Sequence, residues 1–157
     1  MILTHVDENG QPRMVDVSEK APTQREASAR AIVDLPAEFP VFAEAERAVT
    51  PKGPIFATAI IAGILAVKKT HDLIPFCHPL AIDSCCFQLT AKTSSRLEII
   101  CTVKTRAVTG VEMEAIVGAS MAAATVYDMC KALTHNILIG PIELIRKSGG
   151  KRDVSRC

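Results

Sequence analysis

Aromatic side chains and an excess of either charge are what this sequence lacks most. Its 157 residues include no Trp, one Tyr and five Phe, so few side chains could stack on the bases of single-stranded nucleic acid. Eighteen Lys and Arg side chains are balanced by seventeen Asp and Glu side chains. This balance argues against a general nucleic-acid or acidic-membrane binder, and it leaves room for a local basic pocket that binds a phosphorylated small molecule.

Long apolar runs and closely paired cysteines are also missing. No apolar run reaches the roughly 18 residues of a transmembrane helix, and the N-terminal sequence MILTHVDENG lacks the charged and apolar regions of a signal sequence. The six cysteines form no CxxC pair, and most of them lie in apolar or strand-like segments, where we expect reduced core side chains. These features predict a cytoplasmic protein with no membrane association.

The length predicts one domain, because domains of roughly 100 to 150 residues are the commonest. We place this domain at residues 25–147. A polar and partly flexible N-terminal arm at residues 1–24 precedes it, and a tail rich in glycine and basic residues follows at residues 148–157.

Hydrophobic periodicity predicts the main elements of the domain. Residues 84–92 and 96–104 alternate between two faces, which is typical of half-buried strands joined by a turn. The remaining predicted elements are strands at 25–36 and 137–147 and helices at 36–49, 55–70 and 109–133. Their order predicts an α+β fold of the ferredoxin-like βαββαβ class, with an antiparallel four-stranded sheet and helices on one face.

Two apolar surfaces predict a homo-oligomer. The helix that follows Pro54 is apolar nearly all round, which in a soluble protein means burial on several sides. The uncovered face of the sheet would carry Ile100 and Ile137, and a partner subunit could cover it.

The long helix at residues 109–133 carries polar side chains mainly at its two ends. Thr109 and Glu112 fit a capping box, and Glu114 also lies in the first turn, where carboxylates commonly offset the helix dipole. Asp128 and Lys131 share a face near the other end and form either a surface ion pair or an acid and base pair. Glu114 and Asp128 would be about 21 Å apart, so the two ends serve different parts of a site or different sites.

The loop THDLIPFCHPL at residues 70–80 concentrates reactive side chains. Pro75 and Pro79 restrict the backbone on both sides of Cys77 and His78. An imidazole held in this way suits proton transfer or a hydrogen bond to phosphate, and a histidine satisfied by neighbouring backbone is the alternative. A metal site formed by Cys77 and His78, with His71 as a further ligand, is another alternative, but it fits zinc spacing poorly. Nothing in the sequence indicates that Cys77 is a nucleophile.

Basic residues stand at three further places that could bind an anion. The run Lys147 to Lys151 is not a P-loop, but a glycine pair between lysines can wrap a phosphate; a flexible solvated tail is the alternative. Lys52 lies at the mouth of the helix after Pro54 and suits an anion or a proton relay, unless it is an ordinary loop lysine. The sequence around Arg25 gives weaker support for an anion-binding role.

Several longer motifs resemble one family. The motifs are THVDENGQPRMVDVSEK, KGPIFATAIIAGILAVKKTHDLIPFCHPL, TGVEMEA, AATVYDMCKAL and IGPIELIRKSGGK. In this order they resemble the cyclic pyranopterin monophosphate synthases, the molybdenum cofactor biosynthesis protein C family, from Leu3 to Lys151.

The resemblance implies a lyase that converts 3′,8-cyclo-7,8-dihydro-GTP into cyclic pyranopterin monophosphate with release of diphosphate. It further implies a hexamer built as a trimer of dimers, with active sites at subunit interfaces. A radical-SAM enzyme that cyclises GTP would be its pathway partner, and neither a redox cofactor nor a metal is expected.

The matching motifs also imply residue roles. Asp128, Lys131 and Lys52 would be catalytic. The substrate-binding residues would be Phe76, Cys77, His78, Glu112, Met113 and Glu114, together with Arg25, Lys69, Lys147 and Lys151 for the phosphates. Ala107 and Val108 depart from the family pattern ahead of TGVEMEA, so a catalytically inert nucleotide-binding module is the alternative.

Overall fold

A computed structural model describes residue 7 and residues 9–44 and 48–156 of the chain. Its strands are β1 Thr23–Asp34, β2 Val49–Thr50, β3 Gly53–Pro54, β4 Ser84–Ala91, β5 Arg96–Ala107, β6 Leu138–Ser148 and β7 Val154–Ser155. Its helices are α1 Ile55–Lys68, α2 Thr70–Leu73 and α3 Glu112–Cys130. The order of the predicted long elements is confirmed, apart from the helix predicted at residues 36–49.

The main sheet runs in the order β4-β5-β1-β6-β7, and each neighbouring pair is antiparallel. The prediction of four strands was wrong, because the tail folds back after Gly149 and adds β7 to the edge of β6. Gly149 has a φ of 85°, a conformation that glycine adopts without steric cost. The ferredoxin-like assignment stays a prediction.

The hairpin of β4 and β5 confirms the clearest pattern in the sequence. Cys85, Phe87 and Leu89 pair across the strands with Val103, Cys101 and Ile99. The two predicted apolar faces therefore lie side by side on the same face of the sheet. On β5 every second side chain is buried, from Leu97 to Thr105. Burial of one face fixes the register, because a slip by one residue would expose the whole apolar set.

α1 and α3 pack against each other beside the sheet, and two glycines allow this close approach. A Cβ on Gly63 would lie 2.4 Å from Phe87 Cζ, and a Cβ on Gly118 would lie 2.6 Å from Val67 Cγ2 and 2.8 Å from Cys101 Sγ. Neither position therefore has room for a side chain. The small residues Ala115, Ala119, Ala122 and Ala123 complete the buried face of α3.

The opposite face of the sheet carries ion pairs across its strands. Arg30 on β1 contacts Glu143 on β6 and Glu98 on β5. Ile100 lies on this face between Glu98 and Thr102, as predicted. Ile137 does not, because it precedes β6 and is buried in the core on the helix side.

Two local predictions were wrong for identifiable reasons. Residues 37–44 form turns closed by hydrogen bonds from Phe39 N–H to Pro36 O and from Ala43 N–H to Pro40 O, because Pro40 interrupts helical bonding; residues 45–47 of that predicted helix lie outside the described residues. α3 begins at Glu112 after an N-cap at Val111, without the predicted capping by Thr109. The Glu112 carboxylate has another partner, described below.

Among the described residues, no helix combines the length and the apolar character that crossing a membrane requires.

We expect Gly118→Val to lower the free energy of unfolding by about 1–3 kcal/mol, because the new side chain overpacks the contact with Val67 and Cys101. Ala124→Val in the same helix is the control, since Ala124 is exposed and the substitution should cost only about half a kcal/mol of helix propensity. Urea denaturation at one protein concentration measures both. Equal stabilities of the two variants would contradict the close packing.

Candidate functional site

A cleft of about 290 Å³ lies at the N-terminal end of α3. Its walls come from the loop after α2, from the first turn of α3 and from the N-terminal arm. The structure brings together in this cleft six of the predicted site residues, Phe76, Cys77, His78, Glu112, Met113 and Glu114. The two binding segments predicted from separate motifs are therefore neighbours in space.

His78 is fixed in the cleft by the arm. Its Nε2 donates a hydrogen bond to the carbonyl oxygen of Val15 at 2.9 Å. A carbonyl only accepts, so Nε2 carries a proton and Nδ1 remains for a ligand. The backbone partner that the sequence left as an alternative is present, and it orients the ring without occupying both nitrogens.

The carboxylates in the cleft have different environments. Glu112 Oε1 accepts a hydrogen bond from Lys147 Nζ at 2.7 Å, which joins the start of α3 to β6. Glu114 is 4% exposed, and burial raises the pKa of its carboxyl group. Burial and the charge of Glu114 also raise the pKa of the Cys77 thiol, so the geometry does not favour a thiolate nucleophile there.

Other predicted phosphate-binding residues are spread around β1 and the tail. Arg25 on β1 donates to the carbonyl oxygens of Ala107 and Val108 at 3.3 and 3.4 Å. A Cβ on Gly150 would lie 2.9 Å from Arg25 Nη1, so the glycine pair passes close to this guanidinium. Lys151 is exposed just beyond it.

Lys69 lies elsewhere. It follows α1 and borders a shallow apolar depression formed by α1, α2 and α3, which includes Leu65, Leu73 and Met121. It does not line the cleft at the start of α3.

The second cluster, at the C-terminal end of α3, is a carboxylate held by two lysines. Lys131 Nζ contacts Asp128 Oδ1 at 2.7 Å, and Lys52 Nζ contacts Asp128 Oδ2 at 2.7 Å and the Asp128 carbonyl oxygen at 2.8 Å. The hydrogen bonds from Lys131 and Lys52 lower the pKa of Asp128 to about 2, while Asp128 raises the pKa of Lys131. We call these three residues the Lys-Asp-Lys cluster.

A tight hairpin places Lys52 in this cluster. β2 and β3 pair on either side of Pro51 and Lys52, and Gly53 has a φ of 111°, which favours glycine. The Thr50 hydroxyl accepts a hydrogen bond from Lys52 N–H at 3.2 Å. The turn thus aims the Lys52 side chain at the end of α3.

The cleft and the Lys-Asp-Lys cluster are separated by most of the length of α3. At about 1.5 Å per residue, the helix puts roughly 21 Å between Glu114 and Asp128. The structure therefore does not bring all the predicted site residues of one chain together.

Sequence reasoning did not predict Leu80, Thr109 and Gly110 as residues that line the cleft. It also missed Val15, Val17 and Lys20. They belong to the arm that was predicted to be partly flexible. A signal was present, because the apolar Val15 and Val17 flank the polar Asp16, but three residues could not indicate which surface they cover.

In the described part of the chain, no three His, Cys, Asp or Glu side chains come together in a way that could hold a metal ion.

Residues 14–150 match the model of the MoaC family. The chain belongs to this family. Among curated MoaC relatives, the cyclic pyranopterin monophosphate synthases of Xanthomonas campestris pv. campestris (strain 8004) and Xanthomonas oryzae pv. oryzae (strain MAFF 311018) are 54% and 55% identical. Each alignment spans 152 residues, which is 97% of this chain and 92% of the relative.

A longer relative also contains a MoaC-like region. The molybdenum cofactor biosynthesis bifunctional protein of Synechocystis sp. (strain ATCC 27184 / PCC 6803 / Kazusa) is 50% identical over 159 residues. That alignment covers 99% of this chain and 46% of the relative. The MoaC-like part of that protein is therefore joined to a further region of comparable length.

We expect Lys131→Met to raise the pKa of Asp128 from about 2 toward its usual value of 3.8, because the variant loses the largest contribution to the shift. Because the pKa of Asp128 is lower in the folded state, its ionisation stabilises the fold fully above the usual pKa of 3.8, and this stabilisation is lost as pH falls through about 2. In the variant the two pKa values are closer, so the stabilisation is smaller and is lost at a higher pH. The ¹³C chemical shift of the Asp128 carboxyl group follows the titration.

Lys131→Arg is the control for this titration, since it keeps a cation near the carboxylate. Identical Asp128 titrations in the wild type and in Lys131→Met would contradict the Lys-Asp-Lys cluster.

Proposed function

We propose that this chain is a cyclic pyranopterin monophosphate synthase of molybdenum cofactor biosynthesis. It is a lyase that converts 3′,8-cyclo-7,8-dihydro-GTP into cyclic pyranopterin monophosphate and releases diphosphate. The observation that carries the proposal is the Lys-Asp-Lys cluster in a chain whose curated relatives carry this name over nearly their full length. The reaction requires several proton transfers, and this cluster holds proton-transfer groups in contact with one another.

The cluster has a defined resting charge. Asp128 stays ionised far below neutral pH and keeps Lys131 protonated, so Lys131 enters the reaction as a proton donor. Lys52 shares the same carboxylate and lies within reach of the same reacting group. A substrate that displaces one lysine from Asp128 would free it for proton transfer.

The cleft at the start of α3 supplies recognition in this proposal. Phe76, Cys77 and Met113 contact the pterin-forming ring system, and His78 and Glu114 provide hydrogen-bonding groups to it. Apolar contact with a few convergent polar groups is the usual composition of a small-molecule site.

Arg25, Lys147 and Lys151 bind the phosphates. Lys147 is now paired with Glu112, so a phosphate would replace that carboxylate as its partner. Closing a cyclic phosphate with diphosphate as leaving group concentrates negative charge, which these cations neutralise. Lys69 lies away from the cleft, and it reaches a phosphate only if a neighbouring subunit presents it.

The 21 Å between the ends of α3 makes oligomerisation part of the mechanism. One subunit contributes its cleft and a neighbour contributes its Lys-Asp-Lys cluster, so each active site lies at an interface. Exposed apolar side chains support association, above all Ile61 and Leu65 on α1, Leu73 on α2 and Met121 on α3. We propose a hexamer built as a trimer of dimers.

The proposal also includes the setting of the enzyme. It works in the cytoplasm without a redox cofactor, and it receives its substrate from a radical-SAM enzyme that cyclises GTP. The bifunctional relative from Synechocystis supports a link to other steps of the pathway, because its name joins two activities in one chain.

We expect Lys131→Ala and Lys52→Ala each to reduce turnover of 3′,8-cyclo-7,8-dihydro-GTP by at least about a hundredfold, the range for a general acid or base. Lys92→Ala is the control, because Lys92 pairs with Glu98 on the open face of the sheet. Product formation with purified protein measures the rates, and circular dichroism checks folding. Near-normal turnover in both cluster variants would refute the proposed roles, and substrate binding without turnover by the wild type would indicate an inert binding module.

A further inference from the structure

The N-terminal arm forms one wall of the cleft at the start of α3. Val15, Val17 and Lys20 line it together with the predicted binding residues. Val15 and Val17 are half-buried, whereas Met14, Asp16 and Ser18 between and beside them are exposed. This alternation shows that the arm rests on the domain by one face.

Hydrogen bonds hold the arm in this position. The Val15 carbonyl oxygen accepts a hydrogen bond from His78 Nε2, which connects the arm to the loop between Pro75 and Pro79. Asp16 Oδ1 accepts from the backbone N–H of Ser18 at 2.9 Å and from its hydroxyl at 2.7 Å. Lys20 N–H then donates to Val17 O at 3.1 Å and closes a turn.

This turn brings a lysine with an uncommitted charge to the cleft. Lys20 is the only Lys or Arg among the described residues that line the cleft, and no carboxylate of the described chain pairs with its ammonium group. Lys147, by contrast, is paired with Glu112. Glu112 and Glu114 line the same cleft, yet neither forms an ion pair with Lys20.

An ammonium group without a protein partner beside a cleft is suited to an anion brought by the ligand. A cation that already pairs with a carboxylate must give up that partner before it binds a phosphate, whereas Lys20 has none to lose. Its compact charge and three donors suit a phosphate oxygen.

We propose that Lys20 is a substrate-binding residue whose ammonium group contacts the phosphate chain of the ligand, and that residues 15–20 of the arm position it. This inference rests on the proposed function, since a nucleotide-derived substrate supplies the phosphate. The arm is then part of the active site, and His78 links its position to the binding residues of the cleft.

The test compares Lys20→Met, Lys20→Arg and Arg13→Met. We expect Lys20→Met to raise KM for 3′,8-cyclo-7,8-dihydro-GTP by roughly 10- to 100-fold with little change in kcat, the loss typical of a hydrogen bond to a charged group. Lys20→Arg should restore most of the affinity. Arg13→Met removes the same charge from the same arm, outside the residues that line the cleft, and should match the wild type.

Binding of inorganic diphosphate, measured by calorimetry, separates this inference from the proposed function. If the wild type binds diphosphate and Lys20→Met binds it at least about tenfold more weakly, the inference stands even when the protein shows no turnover. If the wild type turns over its substrate and Lys20→Met leaves both KM and diphosphate affinity unchanged, the inference is refuted and the proposed function survives. An equal effect of Arg13→Met would also refute it, because general charge would then suffice.

Discussion

The rigid length of α3 is the constraint on which the rest of this structure depends. This helix of nineteen residues carries a cleft built around Glu114 at one end and a carboxylate, Asp128, held by Lys52 and Lys131 at the other. Gly118, near the middle, allows α1 to pack closely against the helix between these two ends. Neither cluster can complete the other within one chain, and this geometry makes a neighbouring subunit a chemical requirement of the proposed activity.

The two ends of α3 differ in the state of their acidic groups. At one end, two ammonium groups lower the pKa of Asp128, so its charge persists throughout the physiological range. At the other, burial raises the pKa of Glu114, which places its titration closer to neutral pH. One helix thus presents a fixed charge at its C-terminal end and a carboxyl group suited to sharing a proton at its N-terminal end.

The sequence was most informative where one pattern had one physical meaning. The alternation in β4 and β5 determined which residues face each other, because only one register buries both apolar faces. The helical spacing at residues 36–49 misled because Pro40 blocks the bonding that the spacing would need. The capping box at Thr109 failed because Glu112 pairs with Lys147, which is 35 residues away in sequence and could not be foreseen from local chemistry.

The candidate site likewise contains residues that the sequence predicted and others that it did not. The motifs identified Lys52, Asp128 and Lys131 and the segments around His78 and Glu114, and the fold brings each group together. Lys20 could not be found in this way, since its place in the cleft depends on a backbone hydrogen bond between Val15 and His78. A backbone acceptor leaves no mark on the residue type, and the short alternation of Val15, Asp16 and Val17 could not indicate that the arm lines this cleft.

The central claim is that each active site combines the cleft of one subunit with the Lys-Asp-Lys cluster of another, and mixing two inactive variants tests it most directly. Glu114→Ala damages only the cleft and Lys131→Ala damages only the cluster. Co-expressed at equal levels, they should form mixed oligomers with about a quarter of wild-type turnover, because that share of random interfaces pairs an intact cleft with an intact cluster. Mixed oligomers as inactive as each parent would contradict the claim.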